Sequence, residues 1–170
     1  MRVALTGTPG TGKTTVAGLV ETDLEVVDLN RFIEAEGLTS GTDAERGSWI
    51  ADLPAVRERF ADRDDVLVES HLAHRLDVDR VVVLRCRPAD LEARLRSRGE
   101  SPAKARENAE AEALDLVLAE AVAGHGEPAV YEVDTTGRSP DAVALDVEAA
   151  IAGERPPSAG RVSFIDYLAP

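Results

Sequence analysis

A parallel α/β sheet with helices packed on both faces is the fold the sequence predicts, and three observations carry that expectation. Five short apolar runs read as strands, and four of them are nearly uninterrupted, as in strands buried on both sides. Stretches of helical spacing separate them, and strands alternating with helices build a parallel sheet wrapped on both faces. A glycine-rich turn joins the first strand to the first helix.

The elements follow in order. Arg2–Thr6, "RVALT", is a short buried strand, and residues 13–20 form the first helix. Leu24–Leu29, "LEVVDL", is the second strand. "NRFIEAEGL" is a short helix ending at Gly37, and "TSGTDAERGSW", polar and glycine-rich, is expected to be loop. "IADLPAVRERF" is a helix with Pro54 near its start. Asp65–Ser70 and Arg80–Cys86 are the third and fourth strands. Pro88 opens the next helix, which stops at Gly99. Ser101 and Pro102 supply a cap and first-turn proline for one long helix through residue 122. Ala129–Asp134 is the fifth strand. Ser139 and Pro140 start a last helix with Val143, Val147, Ala150 and Ile151 on one face. From Gly153 the tail changes character: Pro156 and Pro157 break helix, and Phe164, Ile165, Tyr167 and Leu168 bring apolar groups back. A chain of 170 residues ordered this way is expected to be one domain over residues 1–152 with a tail over 153–170.

Composition narrows the setting. The formal charge is −13, from 32 acidic against 19 basic side chains, and Lys13 and Lys104 are the only lysines. Such a surface suits a salty cytoplasm, where a Debye length of ~3 Å at ~1 M salt screens self-repulsion. A GC-rich genome, favouring Ala, Arg and Gly, is the alternative source. Either way the basic footprint of a direct nucleic-acid surface is missing. No apolar run is long enough to span a membrane, and with a strand starting at Arg2 no secretory signal is expected. Cys86 is the single cysteine, set in an apolar run, which excludes a disulfide framework and fits a reducing cytoplasm.

The loop after the first strand carries the sharpest signal. Gly7, Gly12, Lys13 and Thr14 have the spacing G-x-x-x-x-G-K-T between a strand and a helix. Glycines let successive N–H groups point into one concavity, and the following helix adds the positive end of its dipole. Lys13 can reach the β- and γ-phosphates and the Thr14 hydroxyl can ligate Mg²⁺, so the loop is expected to hold a nucleoside triphosphate in a P-loop NTPase fold. Such enzymes need a carboxylate at the end of another buried strand for the Mg²⁺ shell, and Glu69 closes the third strand. His71 either points at the same cleft or is a structural histidine. Phosphoryl transfer also needs cations near the transferred group. Arg94, Arg96, Arg98, Lys104 and Arg106 crowd one stretch, and residues 97–107 suit a small lid with Arg98 as its best candidate. A solvated charged helix face is the alternative for the others. His74 and His125 show no metal-ligand spacing and receive no role.

Taken together, "GTPGTGKTT", "DAERGSW", "VESH", "VVVLRC" and "RLRSRGESPAKARENAEAEAL" resemble the adenylate kinase isoenzyme-six family, the coilin-interacting nuclear ATPase type, which has archaeal members. The resemblance covers about residues 1–150. It implies a nucleoside monophosphate kinase fold with a five-stranded parallel sheet and a very short lid. It implies transfer from ATP to AMP giving two ADP, with Mg²⁺, often with ATPase activity. It also implies a part in small ribosomal subunit maturation through a ribosomal protein partner. On this resemblance Gly10, Gly12, Lys13, Thr14 and Thr15 match the ATP loop, and Arg98 matches the lid arginine. Residues 28–50 match the monophosphate-binding region, with Arg31 and Arg46 as candidate ligands of the AMP phosphate. Glu69 and His71 match an Asp-x-His element in which this chain has Glu for Asp, lengthening the carboxylate arm by one methylene. Two other readings stay open: an assembly factor that uses ATP as a conformational switch, and a kinase of another small acceptor such as shikimate or gluconate.

Overall fold

The computed structural model describes residues 1–43 and 48–169. Its main sheet has five parallel strands: β1 (Arg2–Thr6), β2 (Glu25–Asp28), β5 (Val66–Glu69), β6 (Arg80–Arg85) and β7 (Val130–Asp134). Their spatial order is β2-β5-β1-β6-β7. The phosphate-loop strand therefore lies in the middle, with Leu5 level with Glu69 on one side and Val82 on the other. Asp28 is level with Glu69 in the next pair. This register brings the loop after β1, Glu69 and Asp28 to one edge, where ligands bind in open parallel sheets.

Period-two alternation sends half of each strand to either face. Ala4, Val66, Val68, Val81, Val83 and Val130 pack on one side against α2 (Leu29–Ala35), α3 (Leu53–Phe60) and α6 (Leu116–His125). Val3, Leu5, Leu67, Val82, Leu84 and Val133 pack on the other against α1 (Lys13–Ala17) and α7 (Pro140–Ala152). Both faces are apolar because both are covered, which is why the strands read as continuous runs. A third cluster joins Cys86 to Leu91 and Leu95 of α4 (Pro88–Ser97), to Ala105 and Ala109 of α5 (Pro102–Ala113), and to Tyr167 of the tail. Cys86 is a fully buried packing group, and burial pushes its thiol pKa up.

Four sequence expectations change. Residues 39–49 are not simple loop: Thr39–Asp43 and Ser48–Ala51 pair as an antiparallel hairpin, β3 and β4. Trp49 and Ile50 remain exposed there, so no alternation of buried and solvated positions marks the strands. The helix expected over residues 50–60 accordingly begins only at Leu53, capped by Asp52, which accepts from the Ala55 N–H at 3.2 Å. The long helix expected over residues 102–122 is broken: α5 ends at Ala113, Asp115 takes a left-handed conformation (φ 56°), and α6 starts at Leu116. The first helix is also shorter than expected, ending at Ala17 with Gly18 as its cap.

No helix among the described residues is long and apolar enough to cross a membrane. With a net charge of −13, the chain is held together against its own field. Raising KCl from 0.1 to 2 M is expected to raise the melting temperature. A gain of about 1–2 kcal/mol corresponds to roughly 2–8 °C for a domain this size. Thermal melts across the series check this, and a flat or falling melting temperature counts against adaptation to salt.

Candidate active site

The loop between β1 and α1 is shaped by what its glycines permit. Gly7 has φ 143°, and a Cβ there would stand 2.4 Å from the Leu84 carbonyl oxygen. Gly10 has φ 94° and backs directly onto Leu91 and Leu95. Side chains at either position would force the loop off β6 or α4. Gly12 caps the start of α1 in a left-handed conformation. Lys13 is 8% exposed and lies back over the loop, its Nζ donating to the carbonyls of Gly7 (2.9 Å) and Thr8 (3.0 Å). Burial lowers its pKa to about 8, Glu69 and Glu112 acting against the shift and Arg98 adding to it.

Glu69 is 5% exposed, and its carboxylate accepts the Thr14 hydroxyl at 3.2 Å. Desolvation raises its pKa, Lys13 opposes that, and Asp28 adds to it. Thr14 and Glu69 thus stand together as a hydroxyl and a destabilised carboxylate, a hard oxygen set that suits a Mg²⁺ ion keeping much of its water. The single hydrogen bond between them leaves lone pairs on both groups, and a divalent cation would stabilise the desolvated carboxylate.

Two cavities lie near this edge of the sheet, the smaller lined in part by the loop itself. One of about 160 Å³ is lined by Thr11, Gly12, Thr15, Arg94, Arg98 and Thr135. The other, about 320 Å³, lies between α2, the hairpin and the segment after β5, where Asn30, Ile33, Thr39, Trp49, His71 and Leu72 line it. Asn30 is held by the Ser70 hydroxyl, which donates to its Oδ1 at 2.9 Å. His71 is exposed toward solvent on one side, but the cleft walls desolvate its ring. With the charges of Lys13, His74 and Arg75 they lower its pKa to about 4, so the imidazole is neutral at pH 7.

The structure sorts the sequence candidates. Gly10, Gly12, Lys13, Thr14, Thr15, Glu69 and Arg98 gather at the C-terminal edge of the sheet, with His71 on the side of the larger cavity. Of the basic run, Arg94 and Arg98 face the smaller cavity. Arg96, Lys104 and Arg106 form i,i+4 ion pairs with Glu92, Glu100 and Glu110 on an outer helix face. Segment 97–107 consists of the end of α4, a turn through Gly99 and the start of α5. Arg31 pairs with Asp28 at 3.3 Å and does not line the larger cavity. Arg46 lies outside the described residues.

Sequence reasoning missed four groups. Arg85, 1% exposed, is enclosed by the carboxylates of Glu112, Glu132 and Asp115. Thr8 donates to Glu112 at 2.5 Å. Ser70 and Asn30 shape the larger cavity. His74 joins Thr6 (2.9 Å) to Glu120 (3.0 Å), a bridge from β1 to α6 that is buried at its Thr6 end. None is signalled locally: each is defined by partners between 27 and 104 residues away.

The sequence matches the AAA domain family over residues 3–115. A relative from Halobacterium salinarum, named "Putative adenylate kinase", is 62% identical over 169 residues, covering 99% of this chain and all of its own length. A relative of the same name from Natronomonas pharaonis is 62% identical over 168 residues with the same coverage. Another from Methanothermobacter thermautotrophicus is 43% identical, covering 98% of both chains. Among solved structures, shikimate kinase from Bacteroides thetaiotaomicron superposes with a TM-score of 0.58 at 18% identity over 89% of this chain and 98% of that one. A gluconokinase from Sinorhizobium meliloti gives 0.55 at 19% over 90% and 92%. At that identity the two structures speak for the fold alone.

Proposed function

Because this chain belongs to the adenylate kinase family of its archaeal relatives and is a nucleoside monophosphate kinase, we propose that it moves the γ-phosphoryl group of ATP to AMP, giving two ADP. What supports this is the Lys13 loop with its Thr14–Glu69 pair, a cavity lined by Gly12, Thr15 and Arg98, and a second cavity lined by Asn30 and His71, two residues beyond Glu69. In this reading ATP lies along the loop with its base end toward Arg94 and Arg98, and AMP occupies the larger cavity. Residues 28–50 form the monophosphate region and residues 97–107 the lid.

The chain's own groups have defined tasks. The Gly7–Gly12 turn presents backbone N–H groups to the phosphates. Lys13 leaves the Gly7 and Thr8 carbonyls for the β- and γ-phosphates, and its pKa rises again once those charges replace a desolvated pocket. Thr14 and Glu69 would hold Mg²⁺, which when bound neutralises phosphate charge and orients the phosphates. Arg98 supplies mobile positive charge from the α4 end. AMP's phosphate has a second pKa near ~6, so it is largely ionised at neutral pH and requires no protein base. Catalysis then rests on positioning and electrostatics.

We infer further that the chain is of the isoenzyme-six type, with ATPase activity and a role in small ribosomal subunit maturation through a ribosomal protein. The support is the resemblance in "VESH" and in residues 94–114. Hydrolysis differs from transfer in needing a water oriented in line with the γ-phosphate. A neutral His71 beside Glu69 is suited to orient it. His71→Ala is therefore expected to lower ATP hydrolysis about tenfold or more while changing AMP phosphorylation little, consistent with the 10²–10⁴-fold range of general base effects. Glu69→Ala lowers both. Both rates measured on the same purified variants decide the matter, and equal losses for His71→Ala would remove its role in hydrolysis.

A further inference from the structure

The Glu112 side chain has a division of labour that neutralising Arg85 does not explain. Its Oε1 accepts from Arg85 Nε at 2.8 Å and from the Cys86 N–H at 3.1 Å, which fixes the carboxylate to β6. Its Oε2 accepts from the Thr8 hydroxyl at 2.5 Å. Glu112 and Thr8 are each 2% exposed, so this hydrogen bond is shielded from water.

Thr8 in turn is where the phosphate loop is gathered. Its carbonyl accepts from the Thr11 N–H (3.2 Å), the Thr11 hydroxyl (2.9 Å) and Lys13 Nζ (3.0 Å). When Lys13 turns toward a phosphate, that carbonyl loses one donor, and the only side-chain tether on Thr8 from outside the loop among the described residues is Glu112. The carboxylate is itself braced. Arg85 reaches Glu132, which accepts from the Arg161 and Val162 N–H groups of the tail at 2.7 and 3.3 Å. The ring of Phe164 lies over the guanidinium at 5.6 Å.

We propose that Glu112 is a positioning residue for phosphoryl transfer: through Thr8 it holds the phosphate loop in its nucleotide-binding shape while Lys13 is engaged elsewhere, and Arg85 and the C-terminal segment hold Glu112 in place. The inference rests on the reading that this loop binds ATP. It makes Glu112 a determinant of ATP affinity although it touches no phosphate, and it gives the tail a task in the site more than a hundred residues upstream.

The test removes the tether and leaves Arg85 fully paired. Thr8→Val deletes the hydroxyl at nearly constant volume, and Thr8→Ser restores it. For Thr8→Val, equilibrium binding of ATP with Mg²⁺ is expected to weaken five- to twentyfold, with kcat less affected than KM, and the melting temperature to fall by a few degrees because the buried Glu112 Oε2 loses its donor. Thr8→Ser is expected to recover ATP affinity to within about twofold. Thr8→Ala, which fills no space against its neighbours, carries the same expectation should valine impair folding. ATP affinity within twofold of the unaltered protein in the valine or alanine variant, or a loss that serine does not recover, overturns the proposal. Lys13→Ala assayed alongside separates the two readings: if it retains full activity the loop assignment fails, whereas if it is inactive and Thr8→Val is normal, only the role of Glu112 fails.

Discussion

Replacing Lys13 with alanine is expected to lower both AMP phosphorylation and ATP hydrolysis by roughly 10²–10³-fold or more, the scale of losing one preorganised charge at the reacting centre. The ammonium is buried between Glu69 and the loop, and both reactions cleave the same γ-phosphoryl bond. The fold should survive. Burial holds the Lys13 pKa at about 8 in the free protein against the ordinary lysine value of 10.5, so the folded state binds fewer protons than the unfolded state between those values. Stability from this group therefore rises with pH across that window, and at pH 7 its charge is a cost to folding. Lys13→Ala should lose that rise and melt within a few degrees of the unaltered protein at pH 7. Steady-state rates together with melts at pH 7 and 9.5 check both halves. Near-normal turnover would remove the loop from the mechanism, and a collapse of the melting temperature would make Lys13 structural.

Arg85→Met should have the largest effect on stability. The guanidinium is enclosed by Glu112, Glu132 and Asp115. Burial works against its charge, and Glu112 and Asp115 more than offset that, so its pKa lies above the usual arginine value. Methionine fills much of the space but leaves Glu112 and Glu132 buried without their cation, and breaking a buried pair on one side costs about 3–5 kcal/mol. At about 2–4 °C per kcal/mol the melting temperature should fall by roughly 6–20 °C. Adding Glu132→Gln to Arg85→Met should cost less than the sum of the single changes, because the buried charge is then removed with its partner. Thermal or urea melts of the four proteins test this. Strict additivity would mean that the two residues do not share one network.

Much of the fold is legible in the sequence because burial on both faces leaves so plain a mark. "RVVVLRC" and "DVLVES" have no other easy reading, and Pro88, Pro102 and Pro140 mark helix starts, the last two behind a capping serine. The loop is legible because its chemistry is local, with glycines, lysine and threonine at fixed spacing. The hairpin at 39–51 is not, since Trp49 and Ile50 are exposed and the strands carry no buried stripe. The break at Leu114 and Asp115 is invisible for another reason. Its residues suit a helix, but Arg85 draws both the Glu112 carbonyl and the Asp115 carboxylate toward itself across the gap. Arg85 in turn looks like the polar end of an ordinary strand until the fold places three carboxylates around it.

The central claim is that the larger cavity receives AMP and passes it the γ-phosphoryl group of ATP. It is tested most directly by incubating the purified protein with ATP and Mg²⁺ and, in turn, AMP, CMP, UMP, GMP, shikimate and gluconate, and quantifying the phosphorylated products. AMP is expected to be the preferred acceptor, with two ADP formed for each ATP consumed and the reverse reaction observable from ADP alone. Phosphorylation of a hydroxy acid with none of AMP, or ATP consumption that yields no phosphorylated acceptor, would contradict it.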